Sequence, residues 1–248
     1  MMKGMTAHGI LLLSAVLTAA GPATWPGERL IGNHIMPLQS PGQPQEVVKQ
    51  RIALFNGKDL TGWTHYLWDS AAKQQDTTTP MSAVWSVENG ILICQGKPTG
   101  YIRTAQEYEN YKLSLEWRWP EGTAKGNNGV LVHTSTPNAL GQWPRSIEVQ
   151  LALGNAGDFW VIGTSLEVPD LEARRRGRRH LNLTDDSEKP AGQWNKMEVT
   201  CKGDEIVVHV NGVLVNHATK CDVTRGAISL QSEGALIHFR DVYLTPLN

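Results

Sequence analysis

Residues 196–217 read KMEVTCKGDEIVVHVNGVLVNH, and this stretch decides the fold. Asn211-Gly212 separates EIVVHV from VLVNH, and such a pair between apolar-rich runs is a strong signal for a two-residue β-hairpin, because both central residues must adopt φ > 0. Lys202-Gly203-Asp204 supplies a second turn just before it. The stretch from Lys196 to His217 is therefore predicted to be a three-stranded antiparallel meander.

The same grammar extends outward. Asn89-Gly90 divides VWSVE from ILICQ, and from Arg51 onward short alternating runs recur between turn signals. No helical pattern exceeds about two turns, which is the all-β signature. A single β-sandwich over 51–248 fits better than two domains. Residues 24–50 carry Pro26, Pro37, Pro41 and Pro44 without sustained period and read as an extension or linker. Before them, Lys3 is the only charge ahead of an apolar run from Ile10 to Ala20. That is the pattern of a secretory signal peptide over 1–23, with about half the ~20 residues a membrane span needs. The expectation is a periplasmic or secreted protein with no membrane span. Lys and Arg number 23 against 24 Asp and Glu in 248 residues. With no net positive field, nonspecific nucleic-acid binding is excluded as a function class.

Alternation also assigns faces. In KLSLEWRW, Leu113, Leu115, Trp117 and Trp119 share one side of a strand and Ser114, Glu116 and Arg118 the other; in SIEVQL, Ile147, Val149 and Leu151 oppose Ser146, Glu148 and Gln150. Each strand thus buries one face and presents carboxylate, guanidinium or amide groups on the opposite one, which a curved sandwich turns into a cleft. Nine Trp against three Phe is an unusual aromatic choice. Indole suits both cores and sugar-stacking surfaces. The segment WPRSIEVQLALGNAGDFWVIG is the densest cluster, with Trp143, Arg145, Glu148, Gln150, Asp158 and Trp160 bracketing one strand and its exit loop.

Other features carry two readings each. His133 ends GVLVH after the tight GNNG turn, as either a base bordering a loop or a core-edge histidine. The run EARRRGRRH, residues 172–180, is a self-neutralising loop beside Asp185, Asp186 and Glu188, or a cleft-side loop whose arginines and His180 hold a polyhydroxyl or anionic ligand. Cys201 ends a strand and Cys221 follows the next hairpin, so a Cys201–Cys221 disulfide is expected in an oxidising compartment, with Cys94 internal. Walker, GxSxG, HExxH and GxGxxG motifs do not occur.

Seven blocks in order, LFNGKDLTGW, WSVENGILIC, YIRTAQEYENYKLSLEWRW, GNNGVLVH, SIEVQL, GQWNKMEVTCKGDEIVVHVNGVLV and GAISLQSEGALIHFRDVYLTPL, resemble the 3-keto-disaccharide hydrolase domain family over about residues 51–247. The resemblance implies a jelly roll of the concanavalin A-like lectin/glucanase type, acting on glycosides oxidised at carbon 3 downstream of a separate sugar 3-dehydrogenase. A ketone there acidifies the carbon-2 hydrogen, so a base removes it and the enolate expels the aglycone from carbon 1. Related glucanases carry Glu-x-Asp-x-x-Glu, whereas this chain has Glu148-Val149-Gln150-Leu151-Ala152-Leu153, which argues against a conventional two-carboxyl glycosidase. On this reading Glu148 is the base or a polar anchor and His133 its acid/base partner. Glu116, Arg118 and Gln150 orient hydroxyls or the enolate, with Gln231 and Arg240 of the closing block assisting and Trp143 and Trp160 contacting sugar. A divalent cation held by His133 and Glu148 is left open, as is a non-catalytic carbohydrate-binding module.

Overall fold

The computed structural model describes residues 50–248. The expected export signal at 1–23 and the Pro-rich stretch, apart from its last residue, lie outside the described residues.

Two antiparallel sheets face each other across one core. The first runs, neighbour to neighbour, through Val213–Ala218, Glu205–Val210, Asn195–Lys202, Tyr111–Arg118, Ile237–Pro246, Ile91–Cys94 and Trp85–Glu88, with Ile52–Ala53 also on Ile237–Pro246. The second runs through Arg175–Arg176, Arg179–His180, Phe159–Ile162, Ser146–Gln150, Gly129–Thr134, Ala227–Ser232, Gly100–Thr104, Trp63–Asp69 and Gln74–Asp76. The predicted meander is present, the first three strands of the first sheet being consecutive in the chain. Its turn is made as the Asn-Gly pair requires, with φ of 50° at Asn211 and 85° at Gly212; Asn89-Gly90 repeats the arrangement at 51° and 79°. Helix among the described residues is confined to Leu171–Arg174 and the 3-10 turn Met81–Ala83.

Alternation sets the layers. Leu113, Leu115 and Trp117 from one sheet meet Ile147, Val149 and Phe159 from the other, all fully buried. Trp85, Trp117 and Trp119 are core residues, so several of the tryptophans serve packing rather than ligand contact. Among the described residues no helix is long and apolar enough to cross a membrane.

The expected Cys201–Cys221 disulfide is corrected: Cys94, Cys201 and Cys221 are all free, buried thiols. The alternation that carries Cys201 to the end of its strand also turns it inward, opposite Tyr111 in the neighbouring strand. Cys221, whose backbone N–H donates to the Asp204 carbonyl at 3.0 Å, lies near enough to act on the Cys201 thiol without bonding to it. Burial raises both thiols to about 12, which keeps them unreactive.

Candidate active site

The outward face of the nine-stranded sheet carries a cavity of about 330 Å³. It lies where Gly129–Thr134 begins and where Ser146–Gln150 and Ala227–Ser232 end. Glu148, Gln150, Glu233, Trp143, Trp160 and Arg178 are among its lining. Because Ile147, Val149 and Leu151 point into the core, Glu148 and Gln150 must point out of it, and antiparallel register sets Trp160 directly opposite Glu148.

The GNNG turn builds the floor through its two glycines. A Cβ on Gly126 would stand 2.7 Å from the Trp119 indole, and one on Gly129 would stand 2.6 Å from both Gln231 Oε1 and Glu148 Oε1. Between them, Asn128 is buried and donates from Nδ2 to the Gln231 carbonyl at 2.7 Å. Glu148 and the Gln231 amide therefore lean together over Gly129. Neither polar atom of that amide has a partner of good hydrogen-bond geometry within the protein. Gln150 is oriented differently. Its Oε1 accepts from the Leu151 and Ala152 N–H groups, both at 2.9 Å, so its NH₂ end is the one left for a ligand.

The walls are held by hydrogen bonds rather than by the sheet. Leu140 and Trp143 exchange backbone bonds at 3.2 and 3.0 Å in a tight turn, and the Tyr66 hydroxyl donates to Asn138 of the same loop. Tyr66 stacks on Tyr101 beneath, with centroids 5.4 Å apart. On the far wall Arg178 and Arg179 approach the Trp160 ring at 5.3 and 6.0 Å. Arg179 is committed to structure, bonding Asp158 Oδ2 at 2.5 Å and Asn155 Oδ1 at 2.6 Å. The Asn155 loop is pinned by Glu188, which accepts from Gly154 and Ala156 N–H at 2.8 and 3.2 Å.

Five of the residues singled out from sequence thus meet here: Glu148, Gln150, Trp143, Trp160 and Gln231. Four do not. Glu116, Arg118 and Arg240 sit on the outer face of the other sheet, across the sandwich. There Arg240 pairs with Glu116 at 2.6 Å, Arg118 donates to His238 at 3.2 Å, and both guanidiniums stack on Trp194. His133 is turned inside. Simple alternation would set it beside Gly129 and Leu131, but φ of 55° and a register break opposite Ala227/Ser229 rotate its ring between the sheets. Nδ1 lies 2.9 Å from the Val223 carbonyl, and the ring meets Tyr111 edge-on at 5.7 Å. A cation shared by His133 and Glu148 is therefore excluded by their placement, and among the described residues no cluster of three or more His, Cys, Asp or Glu is arranged to hold a metal ion. The arginine run divides: Arg178 and Arg179 line the cavity, Arg174 is buried on Leu181 and Asn216, and His180 is buried.

Sequence reasoning missed Glu233. It lies two residues after Gln231, on the same parity, and that spacing was the available signal.

Burial pushes Glu148 up to about 8, with the Glu233 charge adding and Gln231 and Arg178 opposing. Burial also raises Glu233 and Glu188 to about 7. These groups ionise near 4.5 in the unfolded chain, so the folded protein binds more protons between there and pH 8, and their contribution to stability is full below about 4.5, falls as pH rises and is gone above about 8. Histidines act oppositely. Burial lowers His133 to about 4, and His180 and His238 are also lowered, so stability is lost as pH falls below their ordinary 6.5. The melting temperature is expected to fall between pH 6.5 and 8, where the carboxyl contribution outweighs what the histidines still add. The alkaline slope should be shallower in the Glu148→Gln/Glu233→Gln double variant. A wild-type melting temperature that rises between pH 6.5 and 8 would contradict this assignment.

The family model described as the 3-keto-alpha-glucoside-1,2-lyase-like domain matches residues 50–245. The chain belongs to this family. Among solved structures, the fold of this lyase-like domain is similar to that of a protein from Parabacteroides distasonis named as a candidate glycosyl hydrolase. That match has 21% identity and a TM-score of 0.56, covering 80% of this chain and 94% of the other. A Bacillus licheniformis β-glucanase matches at 14% identity and TM-score 0.51, covering 82% and 100%. A carbohydrate-binding module from Bacillus subtilis matches at 11% and 0.52, covering 75% and 96%. The lyase-like domain is thus a jelly roll of the concanavalin A-like lectin/glucanase type. No curated protein matches it in sequence.

Proposed function

We propose that this protein cleaves glycosides carrying a ketone at carbon 3, by removing the carbon-2 proton and eliminating the aglycone from carbon 1. The observation that carries the reading is the pair of carboxyls, Glu148 and Glu233, in one cavity walled by Trp143 and Trp160. Indole faces suit the apolar face of a pyranose, while the Gln150 NH₂ and the Gln231 amide suit its hydroxyls. A carboxyl held near neutrality is matched to proton transfer at physiological pH. Family membership supports the oxidised sugar as substrate, and addition of water to the unsaturated product would complete net hydrolysis. The reading places the protein after an oxidoreductase that installs the ketone. The leader pattern at 1–23 supports work in the periplasm or outside the cell.

The test is incubation with a 3-keto glucoside bearing a chromogenic aglycone, beside the unoxidised parent. Release from the keto substrate alone is the expected result. Saturable binding of sugar without release from either compound would select a carbohydrate-binding module, and release from the parent would select an ordinary glycosidase.

A further inference from the structure

The two carboxyls of the cavity occupy unlike positions. Glu148 is only 6% exposed, wedged over Gly129 beside Gln231 and opposite Trp160. Among the described residues no cation stands within ion-pair distance of it. Glu233 lies just past the end of Ala227–Ser232 and is partly open to solvent. Two carboxyls in one cavity do not ionise independently, and the first charge settles on the better hydrated one. We infer, resting on the elimination reading above, that Glu233 removes the carbon-2 proton, while Glu148 stays protonated and donates a hydrogen bond to the ketone oxygen as it becomes an enolate.

The surroundings fit that division. A carboxylate at Glu148 would be buried without a contacting cation, whereas a carboxylic acid there is neutral and carries a donor. The acidities follow the same order, about 8 for Glu148 and about 7 for Glu233. Burial and the Glu233 charge outweigh the Gln231 amide beside Glu148 and the Arg178 charge, which favour its ionised form.

The step balances. The C2–H bond breaks, its proton goes to Glu233, and its electron pair forms C2=C3 with the negative charge on the carbon-3 oxygen. Collapse of that enolate restores the ketone, forms C1=C2 and breaks the bond from carbon 1 to the glycosidic oxygen. The leaving oxygen takes a proton from water at the cavity mouth, and the hydroxide so formed is neutralised by the proton on Glu233. Both carboxyls return to their starting states.

The roles separate by substitution, with a 3-keto glucoside as substrate and melting curves confirming that each variant is folded. Glu233→Gln should lose about 10²–10⁴-fold in kcat. Glu233→Ala should lose as much and be partly restored by added formate, a recovery that a structural role would not show. Glu148→Gln keeps a neutral donor and should stay within about tenfold of wild type, whereas Glu148→Leu, which has none, should lose about 10²–10³-fold. The inference is overturned if Glu148→Gln is the crippled variant, or if formate restores Glu148→Ala and not Glu233→Ala. Those results would leave the elimination reading standing with the roles exchanged. A wild-type protein that releases nothing from 3-keto glucosides would remove both.

Discussion

Gly129→Ala is expected to give a folded protein whose turnover of a 3-keto glucoside falls by about 10²-fold. The added methyl would meet Gln231 Oε1 and Glu148 Oε1, each at 2.6 Å, and Glu148 Cγ at 2.7 Å. Those atoms belong to side chains, so the floor yields by rotating them away rather than by unfolding. Rotation is what the chemistry does not tolerate, because misplacing a reacting group by about 1 Å costs on the order of 10² in rate. Measured kcat and melting temperature together check the claim: the first should collapse while the second moves little. Near-wild-type kcat would mean that the position of Glu148 over Gly129 is irrelevant to turnover.

Trp117→Ala should act in the reverse sense, costing about 3–5 kcal/mol of stability and lowering the melting temperature by on the order of 10 °C. Trp117 is fully buried and stands between Asn195 and Phe239 on the neighbouring strands of the eight-stranded sheet. Its indole Nε1 has no partner, so the loss is one of packing and burial rather than of a hydrogen bond. Urea titration monitored by fluorescence and by circular dichroism would measure it. A loss below about 1 kcal/mol would imply that this part of the sandwich repacks freely.

The β architecture was legible because two local rules suffice for it: the two-residue period of strands and the φ > 0 demand of Asn-Gly turns. Both act within a few residues. Placing side chains on a face was legible as well, since Glu148 and Gln150 do point away from Ile147 and Val149. Alternation cannot say which sheet a strand joins, and a sandwich has two outer faces. For that reason Glu116, Arg118 and Arg240 read as neighbours of Glu148 although they lie across the core. Of the two readings of His133 the structure takes the core-edge one, because a positive φ breaks the alternation there and turns the ring between the sheets. Glu233 was hidden differently. It lies just beyond its strand, so the parity it shares with Gln231 hinted at its side but periodicity did not carry its burial. The apparent lack of a second carboxyl in Glu148–Leu153 was true of that strand and not of the cavity, which receives its second acid from the closing block.

The most direct test of the account follows one atom. A 3-keto glucoside labelled with deuterium at carbon 2 is turned over by the wild-type protein within a time in which the enzyme-free substrate keeps its label. The recovered sugar is then read by mass spectrometry. Elimination predicts that release of the aglycone is accompanied by loss of the carbon-2 deuterium to solvent, and that it is slower than from the unlabelled compound if proton removal limits the rate. Release of the aglycone with the carbon-2 deuterium fully retained would contradict the account, because the bond to carbon 1 would then have broken without an enolate.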